Sequence, residues 1–235
     1  MIFAAGLGTR FKPWTDAHPK ALAMVNGKSL LQRNVEWLRK YGINEVVVNV
    51  HHFADQVIEA VEKNKGWGSK IFISDEREEV LETGGGLLKA KDLFIPGDKF
   101  ITCNVDILTN LDLGKLVDFH EQQNSFISFG ITNRKTSRNL LFDGDNRLCG
   151  WKNSQTGEEK IAIKKTGLSG KAYSCVVVFE YDIFNQMPFT GKFSLIDVYL
   201  ALAPKRMILG YDHSGDKLVD VGRMESVPIA EALFS

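Results

Sequence analysis

The chain has 235 residues and a mass of 26.3 kDa, which suits a single α/β domain spanning 1–235 with ample length for a buried core. Lysine plus arginine and aspartate plus glutamate are balanced at 29 each, which argues against a nucleic-acid-binding or membrane-binding surface. Three scattered cysteines, Cys103, Cys149 and Cys175, exclude a disulfide framework or a zinc cluster, and no apolar stretch is long enough for a membrane span.

The first twenty residues carry the pattern around which the rest is organised. The apolar run 1–5 predicts a short strand that breaks into a glycine-rich loop, and a second cation follows the loop. No basic leader precedes this strand, so we expect a cytoplasmic protein. The candidate nucleotide-binding and catalytic residues of this stretch are Ala5, Gly6, Gly8, Thr9, Arg10 and Lys20.

These residue types suit a polyphosphate ligand. Glycines allow a positive φ and remove Cβ atoms, so that backbone N–H groups can close on phosphate oxygens. Arg10 presents a planar fork of donors, whereas Lys20 is a compact charge on a flexible stem. Pro13 and Pro19 restrict the backbone between the two cations. The loop is therefore expected to be stiff enough to aim its charges.

Two better-known glycine motifs do not fit this loop. A P-loop needs Gly-Lys-Ser/Thr entering a helix, and Gly8-Thr9-Arg10 does not supply it. The dinucleotide-binding fingerprint needs a third glycine at position 11, which is Phe11. An ordinary strand-to-loop turn with two glycines remains the alternative for this motif taken alone.

Strand and helix patterns alternate through the first half of the chain. The spacing predicts helices over 29–41 and 54–64 and strands over 45–50, 70–74 and 100–103. Short connections between them predict a Rossmann-like, doubly wound and mostly parallel sheet, which binds ligands at the carboxyl ends of its strands.

Polar residues follow each of these predicted strands. They are the glycine loop, His51 and His52, the segment 75–83, and the segment 104–106. Because parallel strands end at the same edge of a sheet, we expect these segments to lie side by side. The two histidines are interpreted as structural rather than catalytic.

The segment 82–86 places three adjacent glycines before an apolar helix. Bare backbone at a helix N-terminus can receive a flat base or the edge of a sugar. We assign Glu82, Gly84 and Gly85 to nucleotide binding. A flexible glycine loop without a ligand is the alternative.

Two acids end apolar strands. Asp106 lies three residues after the end of the strand 100–103, where a lone carboxylate can hold a divalent cation, although a strand-capping aspartate is the alternative. Asp220 ends a short strand within 217–222.

The second half, 133–235, is less regular. Strands are predicted over 125–132 and 172–179, with a hairpin that turns at 143–146. The hairpin and loops within 133–170 predict a small β-hairpin lid over a second substrate.

The segment 6–15 together with Pro19-Lys20-Ala21-Leu22 closely resembles the signature of the sugar-1-phosphate nucleotidyltransferases. The segment 81–86 looks most like the N-acetylmuramate-1-phosphate uridylyltransferase and mannose-1-phosphate guanylyltransferase branch. The segment 217–222 resembles the element that returns a metal-binding aspartate to the site. Val105 and the pair Arg223-Met224 depart from the family pattern.

The resemblance implies transfer of a nucleotidyl group from a nucleoside triphosphate (NTP) to a sugar 1-phosphate, with release of pyrophosphate. In this assignment Arg10 holds the β- and γ-phosphates, Lys20 sits on the α-phosphate, and Asp106 and Asp220 bind Mg²⁺. The attacking phosphate is already anionic, so no enzyme nucleophile or general base is needed.

UTP with N-acetylmuramate 1-phosphate is the preferred substrate pair, ahead of GTP with mannose 1-phosphate and dTTP with glucose 1-phosphate. We expect small-molecule partners only, with no nucleic acid or membrane, and a monomer or weak homo-oligomer. Lys152 could contact the sugar phosphate, although a solvated lysine is favoured. A rival hypothesis, motivated by Val105 and Arg223, is a non-catalytic nucleotide-sugar-binding regulatory protein.

Overall fold

The computed structural model describes residues 1–234, and Ser235, the last residue of the predicted domain, lies outside them. The strands are β1 (Ile2–Phe3), β2 (Met24–Val25), β3 (Lys28–Ser29), β4 (Glu45–Val50), β5 (Lys70–Asp75), β6 (Phe100–Asn104), β7 (Ile107–Thr109), β8 (Ile127–Thr132), β9 (Arg138–Phe142), β10 (Leu148–Asn153), β11 (Glu159–Ile161), β12 (Ser169–Phe179), β13 (Ile208–Asp212) and β14 (Leu218–Asp220). The helices are α1 (Leu30–Arg39), α2 (Ala54–Lys63), α3 (Glu82–Lys89), α4 (Leu113–Gln122), α5 (Ile183–Gln186), α6 (Leu195–Leu202) and α7 (Val227–Leu233).

One large sheet organises these elements. Its strands follow the order β11-β10-β9-β12-β6-β1-β4-β5, with β8 paired to β12 and β13 paired to β8. The pairs β1–β4, β1–β6 and β4–β5 are parallel, and β12 runs antiparallel to β6. The predicted α/β fold is confirmed. The adjacent parallel strands β6, β1, β4 and β5 are those predicted from the first half of the chain, and β13 also runs parallel to β8.

Local chemistry explains why the first helix forms where it does. Ser29 caps α1, because its Oγ accepts the N–H of Gln32 at 3.1 Å. Gly42, with φ of 78°, follows the helix and allows the chain to turn into β4. The helix predicted over 29–41 is thus confirmed, with its ends trimmed.

Alternating side chains of the strands fill two separate cores. Val46 and Val48 pack on one face of the sheet with helix α1, whereas Val47 packs on the other. β12 behaves in the same way: Val178 joins the first core and Phe179 the second. Helices cover both faces, so the central strands are apolar throughout, as their sequence predicts.

The segment predicted to form a β-hairpin lid is an extension of the main sheet. The predicted hairpin is present as β9 and β10, but β9 pairs with residues 169–171 of β12 and β11 continues outward from β10. Because β12 is longer than predicted, its first residues provide an edge for this pairing. The hairpin is therefore continuous with the main sheet.

Membrane-spanning geometry is absent from the described residues: none of the helices within 1–234 combines the length and the apolar character needed to cross a bilayer.

Candidate active site

The glycine-rich loop folds into a tight clamp after β1. Gly8 adopts φ of 61°, and its carbonyl oxygen accepts the N–H of Phe11 at 2.7 Å and the hydroxyl of Thr15 at 2.9 Å. A Cβ at Gly8 would lie 2.8 Å from Thr15 and 3.2 Å from Cβ of Lys20. Glycine is therefore required here both by the backbone conformation and by the close approach of the chain.

The two cations of the loop point to one region. Nζ of Lys20 contacts Oδ2 of Asp106 in an ion pair whose side chains are only 12% and 19% exposed. Arg10 is exposed, and its Nη2 lies 3.2 Å from the position that a Cβ on Gly222 would occupy. The N-terminal clamp therefore faces residues from β6 and from the end of β14.

Backbone pairing brings the two predicted metal-binding acids together. β14 runs antiparallel to β7, with Asp220 opposite Ile107, and the N–H of Val221 donates to the carbonyl oxygen of Asp106 at 2.8 Å. Burial raises the pKa of the Cys175 thiol, and the charges of Asp106 and Asp220 raise it further. Residues more than a hundred positions apart thus form one acidic corner.

This corner fits a hard divalent cation. Oδ1 of Asp220 is buried and has no hydrogen-bond partner among residues 1–234, so it is an oxygen that a cation would satisfy. The described part of the chain holds no group of three or more metal-ligating side chains. Waters and substrate oxygens would have to complete the coordination shell, which is usual for Mg²⁺.

A cavity of about 280 Å³ lies at the carboxyl ends of the parallel strands. Phe3 of β1 pairs in register with Asn49 of β4 and with Asn104 of β6, so these strand ends are level with one another. The predicted site residues in its wall are Ala5, Gly6, Gly8, Thr9, Arg10, Lys20, Glu82 and Asp106. The predicted juxtaposition of the strand ends is thus observed.

Three predicted site residues lie outside this wall: Asp220, Gly84 and Gly85. The two glycines, which the sequence analysis assigns to nucleotide binding, have a packing role in the structure. They lie inside α3, are buried, and do not line the cavity. Their N–H groups donate to the carbonyl oxygen of Phe193 at 2.9 and 3.2 Å. A Cβ would lie 2.4 Å from the Phe193 ring at Gly84 and 2.2 Å from the Gly191 oxygen at Gly85. These glycines allow a close helix–loop contact, which the sequence alone did not reveal.

Glu82 lies in the cavity wall and has a backbone conformation that residues other than glycine rarely adopt. Its φ is 60°, in the left-handed region that favours glycine. A non-glycine residue held in this conformation is strained, and such strain is found at ligand-binding sites. Glu82 therefore remains a candidate for nucleotide binding.

Sequence reasoning missed a buried polar pair in the wall of the cavity. Asn49 of β4 and Glu76, which follows β5, both line the wall, and Nδ2 of Asn49 donates to Oε1 of Glu76 at 2.7 Å. Glu76 lies in the strand-end segment 75–83, but nothing singled it out there. The available signal was an acid after an apolar strand, the same pattern that identified Asp106.

Other polar candidates have structural partners. Nδ1 of His51 lies 2.6 Å from the Glu76 carbonyl oxygen, and Nε2 of His52 lies 3.1 Å from that of Thr15. Lys152 forms an exposed ion pair with Glu159 at 3.4 Å. These contacts agree with the structural interpretation of the histidines and with a solvated Lys152.

Comparison with known proteins places this geometry in a family. Residues 1–139 match the model of the family described as "Nucleotidyl transferase". The chain is 28% identical to N-acetylmuramate alpha-1-phosphate uridylyltransferase of Neisseria meningitidis, an alignment that covers 99% of this chain and 96% of that protein. It is 30% identical to D-glycero-alpha-D-manno-heptose 1-phosphate guanylyltransferase of Campylobacter jejuni, covering 83% and 81%.

A third relative matches more strongly over a shorter region. N-acetylmuramate alpha-1-phosphate uridylyltransferase of Caulobacter vibrioides is 43% identical over 121 residues, which is 50% of this chain and about half (49%) of that protein.

Solved structures show the same fold. HddC from Yersinia pseudotuberculosis, complexed with GMP-PN, superposes with a TM-score of 0.79 at 25% identity, covering 100% of this chain and 98% of that one. UDP-glucose pyrophosphorylase from Acinetobacter baumannii reaches 0.79 at 15% identity, covering 98% and 90%, a likeness of fold alone. The chain therefore belongs to the nucleotidyl transferase family, within its sugar-1-phosphate nucleotidyltransferase branch.

Proposed function

We propose that the protein transfers the nucleotidyl group of an NTP to a sugar 1-phosphate, forming a nucleotide sugar and pyrophosphate in a Mg²⁺-dependent reaction. The observation that carries this proposal is the Lys20–Asp106 ion pair in the wall of the cavity that Arg10 and the glycine loop also line. Donors for phosphate oxygens and a ligand for a cation thus share one crevice.

Each residue of the cavity has a role that follows from its position. The exposed Arg10, with the loop of Gly6, Gly8 and Thr9, binds the β- and γ-phosphates and steadies the leaving pyrophosphate. When the NTP binds, Lys20 leaves its ion pair with Asp106 and contacts the α-phosphate, where negative charge builds in the transition state. When bound at Asp106 and Asp220, Mg²⁺ supplies further neutralisation of phosphate charge.

No nucleophile is required of the protein. The sugar 1-phosphate oxygen attacks the α-phosphorus, the bond to the β-phosphate bridging oxygen breaks, and pyrophosphate leaves. Alignment and charge neutralisation account for the catalysis. The clamp is suited to this task because Gly8, Thr15 and Lys20 hold one another closely.

The preferred substrates are UTP and N-acetylmuramate 1-phosphate. The names of the Neisseria and Caulobacter relatives support this pair. GTP with mannose 1-phosphate is second, supported by the guanylyltransferase name of the Campylobacter relative, and dTTP with glucose 1-phosphate is third. We place the activity in the cytoplasm, where NTPs are available, in a monomer or weak homo-oligomer.

A pyrophosphate-release assay over a grid of NTPs and sugar 1-phosphates, with and without Mg²⁺, tests this function. We expect release with at least one pair, its loss on chelation with EDTA, and its return when Mg²⁺ is restored. Binding of nucleotide without release anywhere on the grid would favour the regulatory protein instead.

The metal assignment has its own test. Asp220→Asn should raise the Mg²⁺ concentration for half-maximal rate at least about tenfold, since even groups that only support metal ligands are worth that much. Asp118→Asn, which alters an exposed acid on α4, serves as the matched control. An unchanged Mg²⁺ requirement in the Asp220 variant would remove this residue from the metal site.

A further inference from the structure

The chain between the two cations of the clamp is held by side chains that follow the neighbouring strand β4. Nε2 of His52, two residues after β4, lies 3.1 Å from the carbonyl oxygen of Thr15. Because a carbonyl oxygen can only accept, His52 donates this hydrogen bond through its Nε2–H. Gln56 of α2 donates to the carbonyl oxygen of Ala17 at 2.9 Å. Neither side chain lines the cavity, so both hold the clamp from behind its inner surface.

Thr15 connects His52 to the glycine turn. Thr15 is buried, at 3% exposure, and its Oγ1 donates to the carbonyl oxygen of Gly8 at 2.9 Å. A Cβ at Gly8 would lie 2.8 Å from Cγ2 of Thr15 and 3.2 Å from Cβ of Lys20. Since no gap separates these three residues, a displacement of Thr15 also displaces Gly8 and Lys20, which line the cavity.

The contacts of His52 and Gln56 differ in their surroundings. The His52 bond is partly buried, and the imidazole packs against the ring of Phe53 with centroids 4.1 Å apart. The Gln56 bond is exposed, as is the contact of 3.2 Å between Oε1 of Gln56 and Nδ1 of His18. Water can replace an exposed hydrogen bond at little cost, whereas removing the donor of a partly buried bond leaves its acceptor without a partner. We therefore expect His52, rather than Gln56, to fix the position of Thr15.

We propose that His52 is a positioning residue for the triphosphate: through Thr15 it holds Gly8 and the adjoining backbone where the β- and γ-phosphates bind. The inference rests on the proposed function for the identity of the ligand as an NTP. It gives a specific role to a histidine that the sequence analysis interprets only as structural. A nucleoside monophosphate has no β- or γ-phosphate, so its binding should not depend on His52.

Replacing the donor tests this assignment by binding alone. His52→Asn shortens the side chain, whereas His52→Gln returns an amide N–H at a reach similar to that of Nε2. The dissociation constant of the NTP that the wild type binds most tightly should rise about fivefold in His52→Asn and return to within about twofold in His52→Gln, as expected for one hydrogen bond. Isothermal titration calorimetry without the sugar 1-phosphate measures both values. Gln56→Ala is the matched control and should leave the dissociation constant unchanged.

The monophosphate of the same nucleoside distinguishes positioning of the phosphates from general loosening of the fold. It should bind equally well to the wild type and to all three variants. In steady-state kinetics, His52→Asn should raise KM for the NTP and leave KM for the sugar 1-phosphate unchanged. Binding needs no turnover, so the proposed function can fail, by absence of pyrophosphate release, while the binding results support the role of His52.

A double-mutant cycle tests whether His52 acts through Thr15. Thr15→Val keeps the shape of the side chain and removes the hydroxyl group that bonds to Gly8. This variant alone should weaken NTP binding as His52→Asn does. In the double variant the loss should be no larger than in either single variant, because the connection is already broken.

Four outcomes overturn the inference. They are unchanged NTP binding in His52→Asn, an equal loss for the monophosphate, an equal loss in Gln56→Ala, and additive losses in the double variant. Absence of NTP binding by the wild type overturns it as well, together with the proposed function. If His52→Asn does not fold, Thr15→Val decides the question, since it should weaken binding of the NTP and spare the monophosphate.

Discussion

The parallel and antiparallel parts of the sheet use their polar side chains differently. The parallel strands β5, β4, β1 and β6 all end at one edge, so Glu76, Asn49 and Asp106 meet at a single cavity. Antiparallel strands end alternately at opposite edges, and the charged side chains of β10 and β11 pair at the surface, as in Lys152–Glu159 at 3.4 Å. Strand direction thus places these polar side chains around one cavity, at one edge of the sheet.

Removing the lysine of the parallel half should have the largest effect. Lys20→Ala should lower kcat by on the order of a hundredfold or more, because one preorganised charge is lost from the transition state. Steady-state kinetics with saturating substrates measures this. Lys12→Ala is the control, since that lysine is 62% exposed and pairs with Asp16. Near-normal turnover of the Lys20 variant would refute its role.

The close packing around Gly85 predicts a stability effect. Gly85→Ala should reduce the free energy of unfolding by about 1–3 kcal/mol, because its Cβ would overlap the Gly191 oxygen. Gly144→Ala is the control, with no atom within 4 Å of its Cβ, and should change stability by less than about 0.5 kcal/mol. Urea unfolding measures both. A stable Gly85 variant that no longer binds nucleotide would support the assignment of this glycine to nucleotide binding.

Two buried histidines, His120 and His213, make stability depend on pH. Nδ1 of His120 lies 3.0 Å from Oγ of Ser128, and Nε2 of His213 lies 2.7 Å from Oγ of Ser174. Burial lowers the pKa of both imidazoles below 6.5. The unfolded chain therefore binds protons that the folded chain does not, and stability falls as the pH drops below 6.5, by up to about 1.4 kcal/mol per pH unit for each histidine.

Urea unfolding between pH 7.5 and 5 measures this slope. His120→Gln should reduce it, whereas His18→Gln, at an exposed position, should not. Glu76, whose pKa is raised, contributes a slope of the opposite sign. This contribution is the same in wild type and variant, so it does not affect the difference between their slopes. Equal slopes in wild type and His120→Gln would contradict the prediction.

The smallest effect is expected in the antiparallel half. Lys152→Ala should change kcat/KM for the sugar 1-phosphate by less than about threefold, because exposed ion pairs contribute little. Initial rates at varied sugar 1-phosphate check this. A tenfold rise in KM would show that this half supplies a cation to the acceptor, and the contrast between the two halves would weaken.

The parallel part of the sheet was also easier to predict from the sequence than the antiparallel part. Gly8, Arg10 and Lys20 were recognisable because they are close in the chain, and Asp106 because it follows an apolar strand. The fold of the parallel half was predictable from its alternating β-branched runs and amphipathic helices. Here local chemistry and the final geometry agree.

Features set by distant contacts were not predictable. Glycine is needed at positions 84 and 85 because Phe193 and Gly191 pack closely against α3, and only folding brings those residues there. Glu76 likewise depends on Asn49 and on the space left at Gly86. The hairpin was found, but its pairing with β12 depends on an extension of that strand beyond its apolar run.

The Lys20–Asp106 ion pair has a thermodynamic consequence. Without ligands, each of these charges serves as the other's counter-ion, so phosphate and a divalent cation compete with an internal partner when either arrives alone. When phosphate and cation bind together, the Lys20–Asp106 pair is replaced by two new pairs, Lys20 with the phosphate and Asp106 with the cation. We therefore expect nucleotide and metal affinities to be linked reciprocally, each ligand strengthening the binding of the other by the same factor.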